Sequence, residues 1–193
     1  HVFDVSDTNS RAGRTVMLWQ MRPQYEEAVA ESLQHSFGEV DGATDFPHLL
    51  IEISKNAVED NLSDYLSDLN TVKGDSLLEE LDETSLEVWL KDTLKSSVAF
   101  MALSRSSYDP HVYFNREDFA HIFDFNTNAV ISVLGSAASD ISEMVIKEIG
   151  ETVKELEKEE KQIIRTFADG RTSEYHNSIN KNLAPHPCNA RIV

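Results

Sequence analysis

Residues 127–167 read TNAVISVLGSAASDISEMVIKEIGETVKELEKEEKQIIRTF. Val130, Leu134, Ala137, Ile141, Val145, Ile149, Val153 (or Thr152), Leu156 and Ile163 recur along them at helical spacing. Steps of three and four place side chains on one face of a helix with about 3.6 residues per turn. The segment therefore predicts one long C-terminal helix, which makes the chain mainly α. Gly135 and Gly150 each cost such a helix up to about 1 kcal/mol relative to Ala, so both are expected at close helix contacts. Residues 151–162 are almost all charged. They read as projecting into solvent, supported by i,i+4 pairs such as Glu157–Lys161. Pairing with another helix, within or outside the chain, is the alternative.

Upstream, four more helical patterns precede this one, the last of them short. Pro23 stands where a first helical residue is expected, with Glu26 and Glu27 in the first turn. Tyr25, Val29, Leu33 and Phe37 then repeat every four residues until Gly38 stops the pattern. Pro47 is predicted to open a second helix to about Val72, with Gly74 after it and Leu50, Ile53, Ala57, Leu62, Tyr65, Leu66 and Leu69 as its buried stripe. Asp60, Asp64 and Asp68 lie one turn apart on its opposite face, the pattern of a solvated surface. After a short turn through Leu77, Leu78 and Leu81, Thr84 or Ser85 is the expected cap of a third helix to about Ser104. Leu86, Trp89, Leu90, Leu94, Val98 and Met101 form its stripe, and Ser96, Ser97, Ala99 and Ala102 a thinner face of small residues suited to close helix packing. Asn115 with Asp118 three residues on forms a capping pattern for a short helix ending near Phe123.

Around this helical region, 22–167, the ends read differently. Val2, Phe3 and Val5, and the apolar run 14–21, suggest a small β element over residues 1–21, turning at Asp7–Gly13. A strand end needs a partner for its backbone groups, and that partner is expected upstream, so the chain reads as part of a longer polypeptide. Residues 168–193 carry no period and are expected to be a poorly structured tail. The expectation is thus a single mostly helical domain over 1–167, followed by that tail.

The 193 residues carry 34 acidic against 17 basic side chains, a formal net charge of −17. Such a balance repels phosphate backbones and anionic membranes, so neither direct nucleic-acid binding nor a membrane partner is expected. No apolar run is expected to approach the roughly 18 residues that span a bilayer. Cys188 is the single cysteine, which excludes an internal disulfide and a thiolate zinc cluster and fits a reducing, cytoplasmic setting.

Two segments carry a resemblance. Val2-Phe-Asp-Val-Ser-Asp-Thr8 resembles the strand and turn that end the single-stranded-DNA-binding domain of ArdC/LtrC-like antirestriction or conjugation-associated proteins of mobile elements. Ser96-Ser-Val-Ala-Phe-Met-Ala-Leu-Ser104, followed by Tyr108-Asp-Pro110, is similar to the helix after the metal-binding helix in their metallopeptidase-like domain, and the order of the two segments matches. The resemblance covers the first eight residues and roughly 94–155. It implies a zincin-like domain beside a DNA-binding neighbour. Yet a zincin needs His-Glu-x-x-His, two imidazoles on one helix face and a general base. The histidines here are His1, His35, His48, His111, His121, His176 and His186, no two of them four apart. The family's third ligand, a Glu before Ser-Val-Ala, falls on Ser96, and Ser97 matches the family Ser. Serine is no routine zinc ligand. The resemblance therefore implies a pseudo-enzyme with no metal or cofactor, acting as a scaffold or protein-interaction module with an unidentified protein partner.

Other residues offer isolated candidates for chemistry. Asp118, His121 and Asp124 are spaced three apart and would share the face of a continuous helix, as metal ligands can. Phe119, Ile122 and Phe123 between them favour packing. Ser104-Arg-Ser-Ser107 lacks a paired base, His48 reads as a helix-start residue, and Trp19 and Trp89 read as core. No catalytic, cofactor or metal residue is assigned on this basis. Between Glu39 and Lys95, 15 carboxylates face four lysines, which keeps open an acidic decoy of a nucleic-acid enzyme. A divergent metal-dependent hydrolase using Asp118, His121 or the Arg105–Asn115 loop is the remaining reading.

Overall fold

A computed structural model describes residues 18–182, with side chains through Thr166. All its regular elements are helical and no strand occurs among the described residues. The predicted β element falls, up to residue 17, outside the described residues, and residues 18–21 follow an irregular path. The chain divides into two units, His1–Val153 and Lys154–Val193. The boundary falls inside the last helix, earlier than the break at 167 that the sequence pattern suggests.

In the first unit, a 3-10 turn over Pro23–Tyr25 leads into α1, Glu26–Phe37. Tyr25, Val29 and Leu33 are buried, as their spacing predicts. Gly38 closes the helix at φ 93°, donating its N–H to Gln34. A side chain rarely adopts that backbone conformation, which explains a glycine there.

The second helix, α2, spans Phe46–Val72. Pro47 sits in its first turn, and the cap is Asp45, whose carboxylate accepts the His48 N–H at 2.9 Å. Leu50, Ile53, Ala57, Leu62 and Leu69 are buried as expected, whereas Tyr65 and Leu66 are only half-buried. Tyr65 instead donates its hydroxyl to Asp140 at 3.0 Å. Asp60, Asp64 and Asp68 are exposed.

The third helix, α3, runs Glu83–Arg105. Its cap is Asp82, which accepts the Ser85 N–H at 2.8 Å, rather than Thr84 or Ser85. Asp82 has extended backbone, φ −66° and ψ 163°, which lets its side chain turn back over the first N–H groups. Leu86, Leu90, Leu94 and Val98 are buried, together with Ala99 and Ala102. Trp89 and Met101 are half-buried, a correction to their core assignment. Glu59 of α2 pairs with both Lys91 and Lys95 of α3. These charge-assisted bonds hold its carboxyl below the usual range, Lys91 having the larger effect.

The fourth helix, α4, spans Asn128–Asn182. In the first unit it buries Val130, Leu134, Ala137, Ile141, Val145, Ile149 and Val153, the full predicted stripe up to that point. Ser32 of α1 donates to Glu148, and the Ser142 hydroxyl contacts the Met101 sulfur at 3.7 Å. Against the expectation from the sequence, one 18-residue window within Asn128–Thr166 reaches a mean hydropathy of 1.5, long and apolar enough by those measures to cross a bilayer. A third of that window is buried; Val130, Leu134, Ala137, Ile141 and Val145 pack inward, whereas Ile131 and Met144 are exposed.

The two glycines of α4 behave differently. Gly135 faces open space, whereas a Cβ on Gly150 would stand 2.8 Å from Trp19 Cδ1. The close contact expected at Gly150 exists, made by an indole rather than a helix. Trp19 is buried, as expected. The Arg105 guanidinium lies 3.7 Å over the Trp19 ring and donates to its carbonyl oxygen at 3.1 Å. In the second unit the helix continues through Lys154 to Asn182, past the end of the apolar period. Propagating a helix needs no new nucleus.

Candidate docking groove

The loop after α3 builds an apolar groove in the first unit. Asp109 accepts the His111 N–H at 3.0 Å and so caps a 3-10 turn over Pro110–Val112. A second 3-10 segment, Arg116–Asp124, starts with the predicted capping box. Asp118 accepts the Asn115 N–H at 2.8 Å, and Asn115 accepts the Glu117 N–H at 2.7 Å. At Phe119 the backbone leaves helical geometry, φ −119° and ψ 19°.

Together these turns bring three phenylalanines from separate stretches into one cluster. The Phe100 ring centroid lies 5.8 Å from Phe119 in edge-to-face geometry and 6.5 Å from Phe114. Phe114 and Phe119 are 6.0 Å apart, and His111 meets Phe100 edge-on at 5.4 Å. These separations lie within the range in which aromatic pairs attract. With Met101 and Ile122 they line a groove of about 530 Å³. Its polar lining is Ser97, Asn115 and Arg116. Arg116 is exposed and forms no ion pair among the described residues. A groove of this volume, apolar with a few polar groups at its margin, suits an inserted apolar group.

The candidate residues for chemistry lie elsewhere or are engaged otherwise. Asp118 is committed to the capping box. His121 contacts Asp124 at 3.2 Å and stacks on Trp89 at 4.2 Å. The three therefore do not converge, and no group of three His, Cys, Asp or Glu among the described residues is placed to hold a metal ion. Ser97 lines the groove, whereas Ser96 lines a second, more polar depression with Lys55, Asp92, Lys95 and His121. Ser104 donates to the Phe100 carbonyl at 2.7 Å, and His48 lies beside its cap residue Asp45.

The groove residues Phe100, His111, Phe114, Arg116 and Phe119 were not singled out by periodicity. Their one signal is density: Phe100, Phe114, Phe119, Phe123 and Phe125 are five of the nine phenylalanines, within a short stretch.

Comparison with protein-family models, curated protein sequences and solved structures gives no significant match.

Proposed function

We propose that this chain is a non-catalytic protein-interaction module whose groove at Phe100, Phe114 and Phe119 takes an apolar anchor residue of a partner protein. The supporting observation is the groove itself, aromatic-walled and about 530 Å³ in volume. Interfaces concentrate their energy where such pockets receive a buried anchor. The Arg116 cation at the margin favours an anchor flanked by Asp or Glu. The resemblance to ArdC/LtrC-like proteins adds a context: a pseudo-enzyme domain of a mobile-element protein, beside a DNA-binding neighbour.

Peptide display on the immobilised chain tests this. Enriched peptides should carry a large apolar residue next to a carboxylate, and the enrichment should vanish with Phe114→Ala. Turnover of peptide or nucleic acid that responds to point mutation would end the proposal. The acidic-decoy alternative predicts direct inhibition of a restriction enzyme, and no inhibition at high molar excess would end that reading instead.

A further inference from the structure

The second unit carries a separate surface. Ile163 is 56% exposed and Ile164 67% exposed, with Leu156 half-buried two turns earlier. At about 100° per residue, Leu156 and Ile163 fall nearly in line and Ile164 lies at the seam's edge. Glu155 and Glu159 flank the seam on one side, and Glu157 and Glu160 on the other. The basic residues Lys154, Lys158, Lys161 and Arg165 recur at steps of four, three and four along the opposite side. Thus the acids border the apolar strip and the cations lie behind them, Lys161 reaching Glu157 at 3.9 Å, although acids and bases are nearly balanced from Lys154 to Arg165.

From this segregation we infer that residues 155–164 form a docking face for a partner helix that is basic and amphipathic, with Lys or Arg bordering its own apolar seam. Flanking charges select partners in helix pairing. Two copies meeting through this face would set glutamates against glutamates, which disfavours a homodimer. A helix flanked by cations would meet complementary charge, most directly from Glu155 and Glu159, since Glu157 is shared with Lys161. This face is independent of the Phe100–Phe119 groove, which lies in the other unit.

The test uses the full chain and two designed heptad peptides with identical leucine seams. One carries Lys at the flanking positions and the other Glu. The lysine peptide should bind and gain helicity, by fluorescence anisotropy and circular dichroism, and its affinity should fall as salt rises. The glutamate peptide should bind at least about tenfold more weakly, a difference of about 1.4 kcal/mol. Ile163→Asp should abolish binding of the lysine peptide, whereas Ile163→Leu should retain it. Ile163→Asp makes the chain more acidic, so binding that survives it would reflect net charge alone and overturn the inference. Equal binding of both peptides, or none, would also overturn it. So would self-association in sedimentation equilibrium that Ile163→Asp removes. Phe114→Ala should leave the peptide affinity unchanged, so failure of this face and failure of the groove are separable.

Discussion

The Trp19 indole lies directly against the Cα of Gly150, closely enough that a Cβ on the glycine would stand 2.8 Å from Trp19 Cδ1. Arg105 lies 3.7 Å over the same Trp19 ring. One aromatic side chain thereby ties the irregular segment before α1 to both α3 and α4.

Gly150→Ala and Gly135→Ala should therefore have opposite effects. Each gains up to about 1 kcal/mol of helix propensity. At Gly135 nothing opposes that gain, so urea denaturation should show a raised midpoint. At Gly150 the indole must move, and overpacking of this kind costs about 1–3 kcal/mol, so the midpoint should fall. In a Trp19→Ala background the Gly150→Ala penalty should disappear, because the clash is pairwise.

Arg105→Ala should destabilise the first unit and change Trp19 fluorescence. It removes a ring contact worth about 0.5–2 kcal/mol and the bond to the Trp19 carbonyl. Burial lowers the Arg105 pKa, but the group stays charged at any ordinary pH, so this effect should not vary between pH 6 and pH 8.

Stability should fall at both pH extremes, for opposite reasons. Glu59 is held below the usual carboxylate range by its bonds to Lys91 and then Lys95. Asp45 and Asp82 are held low chiefly by the backbone N–H groups of His48 and Ser85. A lowered folded pKa gives stability that is present above the unfolded value and lost as pH falls through the folded one. Asp82→Asn should flatten the acid limb of a pH–stability curve. Tyr108 is raised, first by burial and then by its bond to Glu26 at 2.6 Å. Its contribution is complete below the ordinary tyrosine value of about 10 and is lost as pH rises above it. Tyr108→Phe should flatten the alkaline limb.

Much of the helical fold is legible in the sequence because period and punctuation agree. Pro23, Gly38 and Pro47 mark helix ends, and the α4 stripe up to Val153 is buried in full. Four features escape. Asp82 competes with Thr84 and Ser85 as a cap, and only backbone geometry decides among them. Trp89 has the right helical spacing but meets His121 at the margin rather than the core. The groove is assembled from Phe100, Phe114 and Phe119 across a helix and two short turns, and no single period links them. Asp118 and His121, chosen for their spacing, are separated by the kink at Phe119.

Leu94→Ala should cost about 2–5 kcal/mol, the usual range for a fully buried leucine. Leu94 is 0% exposed within the core between the helices. Ile163→Ala, by contrast, should change stability by less than about 0.5 kcal/mol, as expected of an exposed position.

The proposed occupant of the groove is an apolar anchor with a carboxylate beside it. The most direct test is isothermal titration of a display-selected peptide against the wild-type chain, Ser97→Trp and Arg116→Glu. Ser97 lines the groove, so its replacement by Trp should fill the space and abolish binding while the chain stays folded. Arg116→Glu should weaken acidic peptides about tenfold or more, a loss of about 1.4 kcal/mol, and favour peptides with Lys beside the anchor. Undiminished affinity in both variants would place the interaction outside the groove.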